Sequence, residues 1–319
     1  MLPIQLIELL IIQEPGEESN QLRAAFEATQ LVNIIAVADC STALDALKSS
    51  SDKESTTPNL ILVDRSSSGG DGADGEPSLT NQLELLAEIK SHAEFRSIPI
   101  VIFTNSREAT DTLNAYSHGA CSFVCKPTSE AELNKLVERF ARYWSQVVQL
   151  PETQVTDIPS ILTSRINADE HELESIEPVE ILVVDDSDND IVLLKEAFAD
   201  NRLVRFVDAV ESGEDALNYL RRETPYGDAR RPGLVLIDIN MPKKNGFDVL
   251  SEIRNDPQLS KVPVVMLTTS QQESDILKAY SDGACSFISK PMNFDQMREI
   301  AQHFALYWSL VADVPQEQD

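Results

Sequence analysis

No apolar stretch of this chain is long enough to cross a bilayer. The apolar start, running to Ile12, is broken by Pro3, Gln5 and Glu8. It falls short of the roughly 20 residues that a spanning helix needs. It also lacks a basic opening and a small-residue cleavage site, so it reads as a buried first strand and not as a signal peptide. Cysteine is scarce: Cys40, Cys121, Cys125 and Cys285 are the full set. None has CxxC spacing or a clustered histidine, which excludes a zinc site and points to reduced cytosolic thiols. Positive charge is also in short supply, with 26 Lys and Arg against 53 Asp and Glu and a net charge of −27. Nucleic acid and anionic membrane are themselves negative, so neither is expected as a main partner. A cytoplasmic location follows as the expectation.

What is present is a repeat. Gly119-Ala120-Cys121-Ser122-Phe123 returns as Gly283-Ala284-Cys285-Ser286-Phe287, and Lys126-Pro127 returns as Lys290-Pro291. Tyr143-Trp144-Ser145 returns as Tyr307-Trp308-Ser309 at the same register of 164. Upstream, Ala25-Phe26 matches Ala197-Phe198 at a register of 172, the shift reflecting a longer segment after Asp64. A fixed register over such motifs indicates duplication of one domain. The expected division is 1–150, a linker over 151–178 rich in proline and acidic residues, and 179–319. Each half alternates apolar strands with amphipathic helices, so the fold class is α/β with doubly wound parallel sheets. In the second half, strands are expected near Glu180–Val184, Arg205–Val210, Gly233–Ile237, Val262–Leu267 and Ser286–Ile288, with a last helix from Phe294 to about Val311.

Four strand ends in the second half carry chemistry. Ile181-Leu182-Val183-Val184 runs into Asp185-Asp186, and Leu234-Val235-Leu236-Ile237 into Asp238. A third strand ends in Thr268, and a fourth element ends in Lys290-Pro291. In a doubly wound sheet the strand C-termini open onto one crevice. Three carboxylates there repel each other and favour a hard cation with oxygen ligands, for which magnesium is suited. A cation and an ammonium together offset the charge of an incoming phosphoryl group. The acidic pair has a plainer reading, with Ser187, Asp188 and Asn189 capping the next helix. A calcium loop from Asp186 fails, because Ile191 stands where glycine is needed and Ala197 where a bidentate Glu is needed.

With these motifs the second half resembles a receiver domain of two-component response regulators over essentially its whole length. The likeness includes Asp185-Asp186, Asp238-Ile239-Asn240-Met241-Pro242, Asn245-Gly246, Thr268 and Lys290-Pro291. Tyr226-Gly227-Asp228 and the Tyr-Trp helix are similar to single-domain regulators that partner phytochrome-type kinases. The resemblance implies two flavodoxin-like (βα)5 receivers in tandem. It implies that Asp238 is the phosphoacceptor, and that magnesium is held by Asp185, Asp186, Asp238 and the Asn240 carbonyl. Lys290 would pair with the acyl phosphate, Thr268 would hydrogen-bond it, and Phe287 would be the switch aromatic. A cis Lys290–Pro291 peptide is implied as well. The phosphodonor would be a sensor histidine kinase, of phytochrome type on the narrower likeness, with room for a histidine phosphotransfer protein.

The first half keeps Asp64, Thr104 and Lys126 but not the acidic pair. Gln13 and Glu14 stand in its place, followed by Pro15, and a Gly- and Ser-rich segment from Arg65 to Gly75 replaces the Asn-Met-Pro-Lys loop. Arg65 is expected to reach the Asp64 carboxylate as a built-in cation. This half reads as a degenerate pseudo-receiver that has lost one pocket carboxylate, with Glu14 still available to ligate a metal. The chain is expected to carry no DNA-binding or enzymatic output after Trp308, so output runs through protein contacts. Those contacts are a homodimer or an intramolecular pseudo-dimer through the last helices. Two functions stay open: a phosphoryl-accepting switch that is not an enzyme on outside substrates, and a phosphorylation-independent adaptor or dimerisation scaffold.

Overall fold

The structure is a computed structural model and describes residues 2–13, 16–38, 42–51, 57–64, 80–151, 176–199 and 201–315. Most of the expected linker therefore lies outside the described residues, as do Glu14, Arg65 and Cys40. The first unit runs β1 (Ile7–Ile12), α1 (Glu17–Thr29), β2 (Val32–Ala38), α2 (Ala43–Ser51), β3 (Leu60–Asp64), α3 (Thr80–Ser91), β4 (Ile100–Thr104), α4 (Ala109–Ser117), β5 (Ser122–Cys125) and α5 (Glu130–Arg142). A π-helical turn, Tyr143–Val147, continues α5. The second unit repeats the order with β6 (Val179–Val184), α6 (Asp188–Phe198), β7 (Val204–Val210), α7 (Gly213–Leu220), β8 (Leu234–Ile237), α8 (Gly246–Asn255), β9 (Val264–Thr268), α9 (Glu273–Ser281), β10 (Ser286–Ser289) and α10 (Phe294–Leu310).

Each unit forms a five-stranded sheet, ordered β2-β1-β3-β4-β5 and β7-β6-β8-β9-β10, and every strand pair in them is parallel. The central strands are buried on both faces, which explains why they read as continuous apolar runs and not as alternating ones. Register places equivalent residues together. Val184 pairs with Ile237 as Ile12 pairs with Val63, so Asp185 and Gln13 leave their sheets at the same point.

The helices start where the sequence provides caps. Ser187 accepts from the Asp190 N–H, Ser212 from Asp215, Asn245 from Asp248 and Asn293 from Gln296. The plain reading of Ser187 as a cap is thus borne out, alongside the fate of Asp185 described below. Lys290–Pro291 is not cis: Thr224–Pro225 is the cis peptide found among the described residues.

The two units meet along α5, α10 and the segments that follow them. Tyr143 stacks on Tyr307 with ring centres 4.1 Å apart and planes 8° apart. The Trp144 indole donates to the Tyr307 hydroxyl at 3.0 Å, and the Trp308 indole donates to the Tyr143 hydroxyl at 2.9 Å. The Tyr143 hydroxyl in turn donates to Ser286 Oγ at 3.1 Å. Beyond the helices, Gln149 N–H donates to the Phe287 carbonyl at 2.7 Å, and Asp313 N–H donates to the Phe123 carbonyl at 2.8 Å. Tyr280 donates to the Gln149 carbonyl and Tyr116 to the Asp313 carbonyl, each at 3.0 Å. Every member of these pairs has its counterpart 164 residues away, so the contact is reciprocal. Trp144 and Trp308 are buried here, each with its indole N–H on the other unit's tyrosine. A ring of this size removes roughly 150–250 Å² from water, worth about 4–6 kcal/mol before ordering losses.

Because Tyr143 both accepts from Trp308 and donates to Ser286, Tyr143→Phe leaves two buried polar groups unpaired. The substitution is expected to lower stability by about 1–3 kcal/mol, read as a lower urea midpoint at unchanged slope.

Candidate functional site

The second sheet delivers its groups as the strand ends require. Asp185 follows β6, Asp238 follows β8, Thr268 ends β9 and Lys290 follows β10. The Lys290 ammonium draws them together. It lies 2.7 Å from Asp185 Oδ2, 2.7 Å from Asp190 Oδ2 and 3.1 Å from Asp238 Oδ1. An ammonium has three donors, and here each faces a carboxylate. Asp185, Asp238 and Lys290 are almost wholly buried, whereas the Asp190 side chain is 35 % exposed. Burial alone pulls the Lys290 pKa down, but the hydrogen bonds its ammonium donates to Asp185 and Asp190 and the charge of Asp238 leave it above its ordinary value. Burial raises the Asp185 pKa, and Lys290 offsets part of that.

Local turns hold these groups. Asn240 N–H donates to Asp238 Oδ2 at 2.7 Å, Ser187 N–H donates to Asp185 Oδ1 at 3.0 Å, and the Asn240 amide donates to Thr268 Oγ1 at 3.3 Å. Gly246 is required by this packing, since a Cβ there would collide with the Asp238 carbonyl. Lys290 N–H donates to the Thr268 carbonyl at 2.7 Å, so the lysine is tied to the β9 end by its backbone too. Phe287 is fully buried in β10.

The geometry corrects one expectation. Asp185, Asp186 and Asp238 do not close on a common point: Asp186 is exposed at the rim, and no group of three His, Cys, Asp or Glu side chains gathers as a ready metal site among the described residues. Like charges repel, and the ammonium sits between Asp185 and Asp238 instead. The donor set still fits a hard divalent cation. It supplies carboxylate oxygens with net negative charge around one ammonium, and a buried carboxylate whose ionised form burial disfavours. Asp185, Asp186, Asp238 and the Asn240 carbonyl are the groups that would hold it. The sequence reading missed Asp190. Its signal was a position five residues after Asp185 in the first turn of α6, a stretch read there only as the start of a calcium loop that fails.

The first unit places the same frame around different chemistry. Lys126 forms an ion pair with Asp64 and lies 3.7 Å from Glu18. Gln13 stands buried in the place of Asp185, and its Oε1 has no hydrogen-bond partner. Thr104 is buried at the end of β4 and accepts from Ser106 N–H at 3.1 Å. Burial pushes the Asp64 pKa up to about 6, against the opposing charge and hydrogen bond of Lys126.

A sequence profile described as the response regulator receiver domain matches residues 181–302. The chain is also 32 % identical over 142 residues to the response regulator Rcp1 of a Synechocystis species, covering 97 % of that protein and 44 % of this chain. The chain belongs to the response regulator receiver family. A second relative of this receiver chain is the probable methanogenesis regulatory protein FilR2 of Methanothrix harundinacea, 34 % identical, with 87 % of it and 43 % of this chain covered. Among solved structures, the phosphorylated cyanobacterial phytochrome response regulator RcpA is 38 % identical, covering all of that chain and 44 % of this one, with a TM-score of 0.42. No helix among the described residues is long and apolar enough to cross a membrane.

The raised Asp64 pKa carries a sign. The folded value, about 6, exceeds the ordinary 3.8, so the protonated carboxyl is favoured in the native state. Its contribution to stability is full below about pH 4 and is lost as pH rises through about 6, a change of up to about 3 kcal/mol. Unfolding free energies measured from pH 4 to 7 are expected to show this decline in the wild type and to lack it in Asp64→Asn.

Proposed function

We propose that the second unit is a phosphoryl-accepting switch in which Asp238 takes the phosphoryl group from a histidine kinase phosphohistidine. The single observation that carries this reading is the Lys290 ammonium seated among Asp185, Asp190 and Asp238 at the sheet's C-terminal edge. A divalent cation, magnesium by the donor set, would supply charge neutralisation at the phosphoryl oxygens. Asp238 is the nucleophile: its oxygen forms the new bond to phosphorus as the bond to the kinase imidazole breaks. Lys290 then balances the charge of the acyl phosphate. Thr268 donates its hydroxyl hydrogen bond to it. The narrower likeness to phytochrome partners favours a phytochrome-type kinase, and a histidine phosphotransfer protein is a second acceptable donor or acceptor.

The chain is read as 1–150 and 179–319 joined through 151–178, and the first unit works without phosphorylation. Gln13 in place of the buried acid and the Asp64–Lys126 pair support that part. The last helices join the units as an intramolecular pseudo-dimer, supported by the reciprocal Tyr143, Trp144, Tyr307 and Trp308 contacts. Output passes along β10. Lys290 and Phe287 belong to one short segment, and the Phe287 carbonyl accepts from Gln149 while its N–H donates to Tyr280 at 3.3 Å. Tyr280 in turn holds the Gln149 carbonyl. A shift of β10 toward a phosphoryl group therefore pulls on the end of the first unit.

Incubation with magnesium and a small-molecule phosphodonor, followed by intact mass, tests the assignment. One added phosphoryl group is expected in wild type and Asp64→Asn, and none in Asp238→Asn. Two additions, or none in wild type, would contradict it.

A further inference from the structure

Asp190 has no part in the site as the motifs describe it, yet its oxygen is as close to Lys290 as that of Asp185, 2.7 Å in each case. It differs from the other two partners in position. Asp185 and Asp238 end strands and are buried, so both are claimed by any cation that enters. Asp190 stands on the first turn of α6, partly in solvent, beside the site and not in it. When Asp185 and Asp238 turn to a divalent cation, the ammonium loses two of its three partners. A buried ammonium without a carboxylate is strongly disfavoured, and Asp190 is the partner that stays.

The first unit keeps the same arrangement. Glu18 lies five residues after Gln13, as Asp190 lies five after Asp185, and the two are related by the register of 172 that also aligns Ala25-Phe26 with Ala197-Phe198. Glu18 sits 3.7 Å from Lys126. The outer carboxylate on the lysine is thus present even where the buried acid has become glutamine.

We propose that Asp190 is a positioning residue that holds the Lys290 ammonium while Asp185 and Asp238 ligate a divalent cation, and releases it to the phosphoryl group. This rests on the reading of the second unit as a phosphoryl-accepting site. Asp190 acts through Lys290 and is not itself a ligand, so removing its charge makes freeing Asp185 and Asp238 harder and weakens cation binding.

Calorimetric titration of magnesium chloride into the full chain tests this without any phosphorylation assay. Asp190→Asn is expected to raise the magnesium Kd roughly tenfold, and Asp190→Glu to restore most of the affinity. In a Lys290→Ala background the same Asp190→Asn change is expected to alter Kd by less than about twofold, because the group it acts through is gone. An unchanged Kd in Asp190→Asn would overturn the proposal alone. So would an equal loss in the Lys290→Ala background, which would mean that the carboxylate acts on the cation directly. Absence of magnesium binding to wild type would overturn both the proposal and the site reading beneath it.

Discussion

The stack of Tyr143 on Tyr307, with each tyrosine hydroxyl accepting the indole N–H of the other unit's tryptophan, is the constraint on which the arrangement rests. Neither unit can bury its own last aromatic helix end, because Trp144 and Trp308 have their hydrogen-bond partners on the opposite side. Their polar atoms would be unpaired in an isolated unit, and unpaired buried groups are costly. The same seam continues into backbone bonds. Gln149 caps the edge of β10, and Asp313 caps the edge of β5. An open sheet edge invites pairing, and the β5 and β10 edges each take a backbone bond from the other unit.

The two sites differ in where their lysine goes. In the second unit Asp185, Asp190 and Asp238 share Lys290. In the first unit Gln13 has removed a buried negative charge, and Lys126 pairs with Asp64 instead. At this strand end a neutral amide replaces the buried acid, and the lysine is left with Asp64 and Glu18. The remaining frame of sheet, Thr104 and Glu18 is kept, which fits a unit retained for its contacts and not for its chemistry.

Much of this was legible in the residues. The register of 164 marked the tandem repeat, and the strand-end groups Asp185, Asp238, Thr268 and Lys290 were located by the points where apolar runs stop. Asp190 was not legible: until the lysine is seen above it, this first-turn acid reads only as part of a calcium loop that fails. The convergence of Asp185, Asp186 and Asp238 was over-read: sequence shows that three carboxylates share an edge, but not that an ammonium comes between two of them. The seam was legible only as one of two pairings of the last helices, and its particular contacts were not. Met297, Phe304 and Trp308 follow helical spacing whether the stripe faces its own sheet or another domain, and the tails at Gln149 and Asp313 carry no pattern of their own. Glu14 and Arg65, on which part of the first-half reading rested, lie outside the described residues.

The central claim is that the state of Asp238 is carried along β10 to the seam. The chain has two tryptophans, and both sit in that seam, so intrinsic tryptophan emission reports on it directly. On addition of magnesium and a phosphodonor, emission is expected to change in step with the mass gain, and to stay constant in Asp238→Asn. Unchanged emission in a protein shown by mass to be phosphorylated would contradict the account.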